Sequence, residues 1–208
     1  MGLRKTHTPD ARRAVIDREH PRDLDGLLDQ LRCGDVKQRR WAARDLARHP
    51  QATAALGAQL LRETEPSVRE ALLTSLQAMP GDSAVSALLP LLRSEDAQLR
   101  NGAIEALAGM PLAVAPRVAA LLHDNDADVR IFSVNLLGEL RHAQVVPWLL
   151  QVLHDEPEVN VVAAAIEVLA EVGEPGHTGA LRAARDRFAD DAFIAFAADM
   201  AIKRIDAP

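Results

Sequence analysis

The chain has no tyrosine, four phenylalanines and two tryptophans in 208 residues. Its core cannot be built on large rings, so it must be filled by aliphatic side chains and by close approach of backbones. One cysteine, Cys33, excludes an internal disulfide framework and suits a reducing compartment. No apolar run reaches the roughly 18 residues that a membrane span needs. The opening stretch, Met1 to Arg13, carries charge with no apolar core behind it, so a secretory signal is not expected and the chain reads as cytoplasmic. Gly-rich phosphate loops, Gly-x-Ser-x-Gly and Cys-x-x-Cys are all missing, which removes the commonest sequence marks of nucleotide, acyl-transfer and redox chemistry.

Positive charge is also short. The net charge is −6, and it is uneven: residues 1–50 contribute +4 and residues 51–208 contribute −10. Nucleic-acid binders draw much of their affinity from neutralising phosphates. Here only the first fifty residues are basic and the remainder would repel a phosphate backbone, so a nucleic-acid partner is not expected.

What the sequence does have is alanine, leucine and a period. Arg39, Arg69, Arg100 and Arg130 follow one another at steps of 30, 31 and 30 residues. Seven positions after each stands a leucine: Leu46, Leu76, Leu107 and Leu137, with Leu169 as a fifth copy. Pro50, Pro80 and Pro111 come four positions later and end three helices. Upstream, Leu60-Leu61, Leu91-Leu92, Leu121-Leu122 and Val152-Leu153 keep the same step. Self-similarity of this kind marks a quasi-one-dimensional array of helical units. Within a unit the apolar residues sit at helical spacing, as in Leu24, Leu27, Leu28 and Leu31. About six units follow, from Asp23 to Ile205, and the last is degenerate. Its expected apolar set is Leu181, Ala184 and Phe188, then Phe193, Ile194, Ala197, Ala201, Ile202 and Ile205. Residues 1–22 form an N-terminal extension, either a capping helix from about Pro9 to Glu19 or a partly disordered segment. The repeat array occupies 23–208.

The recurring turn is acidic, then Val-Arg or Leu-Arg, then a small residue, as in Glu65-Pro66-Ser67-Val68-Arg69 and Asp126-Ala127-Asp128-Val129-Arg130. This pattern resembles HEAT-like repeats, in particular the short bacterial type known from phycobilin lyases. The resemblance implies an all-α fold: antiparallel helix pairs stacked into a right-handed α-solenoid, with second helices lining the concave face. Unit five departs from it, with Val162 at the arginine position, and unit six lacks the motif. The acids four positions before the arginines, Asp35, Glu65, Asp96 and Asp126, suit helix N-termini. The arginines are expected to reach an acid of their own or the adjacent unit and tie the repeats together.

On such a scaffold the positions one, five and nine after the motif arginine face the groove. They give Arg40 and Arg44 in unit one, Glu70 and Thr74 in unit two, and Asn101 and Glu105 in unit three. Ile131, Asn135 and Glu139 follow in unit four, then Ala163, Glu167 and Glu171 by the shifted register of unit five. The groove is basic at one end and acidic along the rest. The expected role is a non-enzymatic adaptor or scaffold that binds a partner protein with a basic segment. No cofactor and no metal are expected: His123 and His154 hold equivalent ranks in turns too far apart to close on one ion. HEAT-fold hydroxylases hold iron with His-Glu steps, and no histidine here is followed by glutamate. Trp41 with Arg40 and Arg44 is a faint likeness to HEAT-fold DNA glycosylases. The alternative role is a phycobilin-lyase-like enzyme or chaperone for a tetrapyrrole-bearing protein, although no aromatic-lined pocket is legible.

Overall fold

The structure, a computed structural model, describes residues 21–207. The helix expected over Pro9 to Glu19 lies outside the described residues. Twelve α-helices fill the rest, with no strand among the described residues. They pair into six hairpins, distributed over two compact units that divide after Met79.

The first unit holds α1 (Leu24–Cys33), α2 (Val36–Leu46), α3 (Thr53–Leu60) and α4 (Pro66–Gln77). Caps set the helix starts. The Asp23 carboxylate accepts from the Gly26 N–H at 2.9 Å. Asp35 and Gln38 form a reciprocal capping box, each side chain accepting the other's backbone N–H at 2.8 Å. Pro66 opens α4, where its missing N–H costs little. Alternate turns then drive Leu27, Leu31, Leu46, Leu56, Leu60, Leu72 and Leu76 into full burial. Each contributes about 1.5–3 kcal/mol on transfer from water. No single hairpin hides these side chains: α2 lies along α4, and α1 touches α3.

One leucine breaks rank. Leu61 matches Leu92, Leu122 and Leu153 in the sequence ladder, yet it is 61% exposed while those three are buried. It is the C-cap of α3, and Ala54 on the same helix is exposed as well. The interior there is taken by Gln59 and Glu63, both buried and hydrogen-bonded to each other at 2.8 Å.

The second unit carries α5 (Asp82–Leu88), α6 (Ala97–Ala108), α7 (Pro111–Leu122), α8 (Ala127–Glu139), α9 (Val145–Asp155), α10 (Val159–Val172), α11 (Thr178–Arg187) and α12 (Ala192–Ile205). Pro90 lacks the N–H that would continue α5, and residues Leu89–Arg93 tighten into a 3-10 helix. The second helices of the hairpins, α6, α8, α10 and α12, pack each against the next. The first helices lie behind them, α5 on α7 and α9 on α11.

The final hairpin buries Leu181, Ala184, Ile194, Ala198, Ala201 and Ile205. Phe193, expected in that set, is instead 56% exposed. Ala198, four residues after Ile194, takes the interior position. Gly173 closes α10 in extended backbone: a Cβ there would stand 2.5 Å from the Leu169 carbonyl oxygen and 2.9 Å from Ile205 Cδ1. Packing, not backbone freedom, requires glycine at that point.

Candidate functional site

The candidate site is the face of the second helices, and hydrogen bonds in the turns that precede those helices fix their starts. Each motif arginine donates to a backbone carbonyl in the turn before its own helix. Arg39 reaches Gly34 O at 3.0 Å and Arg69 reaches Glu63 O at 2.6 Å. Arg100 reaches Ser94 O at 2.7 Å and Arg130 reaches Asp124 O at 2.8 Å. Of the acids four positions earlier the three aspartates cap their own helices, Asp35 accepting from Gln38, Asp96 from Gln98 and Leu99, and Asp126 from Asp128, whereas Glu65 stands at the N-cap of α4 with no side-chain cap bond. Asp126 also accepts from Arg93 of the preceding hairpin at 3.3 Å, and two of the motif arginines reach buried glutamates of the hairpin that follows. Arg39 makes two 2.9 Å bonds to the buried Glu63 carboxylate of the following hairpin. Arg130 does the same to Glu156, also at 2.9 Å and also buried. Both glutamates lie in the turn that precedes the next second helix.

Glu63 shows what this pairing does to a carboxyl. Burial pushes its pKa up, but hydrogen bonds from Arg39, Gln59 and the Glu65 N–H outweigh burial and bring it down to about 2. Burial without those donors would favour the neutral acid.

Where the arginine is missing, the chain supplies another. Val162 stands at the motif position of α10 and cannot reach Glu156 O, the carbonyl six residues back. Arg187, at the end of α11, fills that place: it donates to Glu156 O at 2.6 Å and Leu153 O at 2.7 Å. Its guanidinium also covers the Phe188 ring at 4.5 Å. No periodic signal points to Arg187, because it enters from the next hairpin.

In the first unit Arg40 is half-buried, with its Nε buried and without a hydrogen-bond acceptor. Arg44, Glu70 and Thr74 are exposed. In the second unit Asn101 and Glu105 are exposed on α6, Asn135 and Glu139 on α8, and Glu167 and Glu171 on α10. Ile131 is half-buried and Ala163 is buried. Glu171 is paired with Arg204 of α12 at 2.6 Å. Glu105, Glu139 and Glu167 have no ion-pair partner among the described residues.

Beside Glu167 the face opens into a cavity of about 600 Å³ between α10 and α12, with Gly138 of α8 at its edge. Ile166 and Val168 line one side, and Phe193, Phe196 and Met200 the other. Phe193, expected in the core from its spacing, lines this cavity instead, and with Phe196 gives it an aromatic wall that the sequence pattern does not reveal. Two stripes share α12: 194, 198, 201 and 205 inward, and 193, 196 and 200 outward. A helix apolar on two sides reads as fully buried until the stripes are separated.

The remaining groups with chemical potential are scattered. His123 Nδ1 contacts its own helix at Ala119 O, 2.7 Å away, and His154 Nδ1 contacts Asp155 at 2.5 Å. Among the described residues no group of three or more His, Cys, Asp or Glu gathers where it could hold a metal ion. Cys33 is exposed. Trp41 is half-buried under Lys37, whose Nζ lies 4.7 Å from the ring. No described helix is long and apolar enough to cross a membrane.

A model of HEAT repeats matches residues 24–108 and 114–202. Among curated proteins none matches the chain in sequence. Solved structures resemble it over most of its length. A computationally designed armadillo repeat protein for modular peptide recognition shares 17% identity, with a TM-score of 0.43 over 88% of this chain and 100% of that one. The complex of CpcE and CpcF of phycocyanin lyase from Nostoc sp. PCC7120 shares 18% identity, with a TM-score of 0.39 over 97% of this chain and 91% of that one. Likenesses of this size do not bear on what the chain binds.

Proposed function

The chain belongs to the HEAT-repeat family, and from that premise we propose that it is a non-enzymatic interaction module holding a basic segment of a partner protein along its second helices. One observation carries the reading. Glu105, Glu139 and Glu167 stand exposed, and unpaired among the described residues, on three neighbouring helices, α6, α8 and α10. Packed helices lie about 8–10 Å apart, so the three carboxylates, with Glu139 one turn further along its helix than Glu105 and Glu167 on theirs, make a staggered acidic row along the face. Such a row attracts lysine and arginine, speeds encounter, and weakens as salt rises. It also repels phosphate backbones, which disfavours nucleic acid as the partner. The first unit adds its own second-helix face, where exposed Arg44 would take an acidic group and Glu70 a basic one.

Co-purification with the full chain would recover the partner, and titration at increasing salt would then test the face. Glu105→Lys with Glu139→Lys is expected to weaken binding at least tenfold and to flatten its salt dependence. Unchanged affinity would remove the face from the binding site.

A second reading, handling of a tetrapyrrole on its protein carrier, has one observation in its favour, the cavity with Phe193 and Phe196 on its wall. Its one lining cation, Arg204, is already engaged by Glu171. A change in bilin absorbance on mixing with the chain would support it, and no change would dispose of it.

A further inference from the structure

We propose that the cavity between α10 and α12 is an anchor pocket. It takes one large apolar side chain from the partner's segment, with a lysine or arginine of the same segment paired to Glu167. The inference rests on the reading of the second-helix face as the binding surface, and it names what that surface selects.

The chain has four phenylalanines, and two of them are covered by arginine. The Arg100 guanidinium lies 4.2 Å from the Phe132 ring centroid and that of Arg187 lies 4.5 Å from Phe188. Among the described residues no cation covers Phe193 or Phe196, which are 56% and 63% exposed. Met200, 47% exposed, completes their stripe at helical spacing. These three side chains, the two exposed rings included, converge on one cavity instead of scattering over the surface. A contiguous apolar patch rimmed by polar residues marks an interaction surface.

The rim states the chemistry of the occupant. Glu171 and Arg204 neutralise each other at 2.6 Å on one side. Glu167, on the same helix one turn earlier, also lines the cavity and has no ion-pair partner among the described residues. An apolar floor beside a single unpaired carboxylate complements a large aliphatic or aromatic residue followed closely by a cation. At about 600 Å³ the cavity has room for a bulky side chain and the backbone that carries it. Methionine and the two rings give a wall that adapts to different anchors.

A phage-displayed library of random dodecamers, selected against the full chain, provides the test. Enriched peptides are expected to share one large apolar residue with a lysine or arginine within four positions. Phe196→Ser should weaken the best synthetic peptide at least tenfold, while circular dichroism stays unchanged because the side chain is mostly outside the core. Glu167→Lys should weaken it about fivefold or more, and a peptide with its cation changed to glutamate should recover binding to that variant. Peptides without the apolar–basic pairing, or affinity indifferent to Phe196→Ser, would overturn the pocket. So would a wild-type dimer in light scattering that Phe196→Ser dissociates, since the occupant would then be a second copy. Sensitivity to Glu105→Lys with Glu139→Lys but not to Phe196→Ser would sink the pocket alone. Indifference to both sets would sink the second-helix face with it.

Discussion

Replacing Glu63 by glutamine isolates the ion pair that joins the first two hairpins. The carboxyl has an ordinary value of 4.5 and is held at about 2 in the folded chain. A depressed pKa means that the folded state holds the charged form more tightly than the unfolded state does. The stabilisation is therefore fully present above pH 4.5 and is lost as pH falls toward 2. At about 1.4 kcal/mol per pH unit, the shift corresponds to roughly 3 kcal/mol at neutral pH. Glu63 is 3% exposed, so solvent screens little of it. Urea unfolding of the full chain, followed by Trp41 fluorescence in a Trp148→Phe background, reports on the first unit. Glu63→Gln is expected to lose about 2–3 kcal/mol at pH 7 and progressively less at pH 4 and pH 3. Arg39→Ala is expected to lose about 3–5 kcal/mol at pH 7, because it strands a buried charge. Its deficit should also shrink in acid, where Glu63 can take up a proton. A gap of constant size at all pH values, or no gap at pH 7, would refute the reasoning.

Arg187→Ala removes two hydrogen bonds to Glu156 O and Leu153 O and uncovers Phe188. It should cost about 2–3 kcal/mol in unfolding followed by Trp148, and lysine should recover only part because it lacks the fork. Asp96→Ala removes the N-cap of α6 and should lower stability by about 1 kcal/mol, read as a shift of the urea midpoint. Gly173→Ala places a methyl group 2.5 Å from the Leu169 carbonyl and should cost about 1–3 kcal/mol, with thermal melting as the check.

The repeat was legible because its period is enforced by burial. A leucine one turn out of step loses its place between hairpins, so Leu46, Leu76, Leu107 and Leu137 keep register and announce the fold. The N-caps were legible for a related reason, since Asp35, Asp96 and Asp126 act within their own helix. Partners that lie across hairpins were not. Glu63 and Glu156 answer Arg39 and Arg130 from 24 and 26 residues away, and Arg187 serves a turn that belongs to the preceding repeat. Leu61 shows the converse failure, a residue in perfect register that the end of α3 turns outward. Register alone suggests an acidic face, and among the described residues Glu105, Glu139 and Glu167 are exposed and have no ion-pair partner. The cavity could not be named, because Phe193 and Phe196 belong to a second stripe on a helix whose first stripe already explains its burial.

Hydrogen–deuterium exchange of the full chain, with and without the partner recovered by co-purification, tests the binding face most directly. Protection is predicted along α6, α8, α10 and α12, with the first helices α7, α9 and α11 unchanged. Protection confined to those first helices would contradict it.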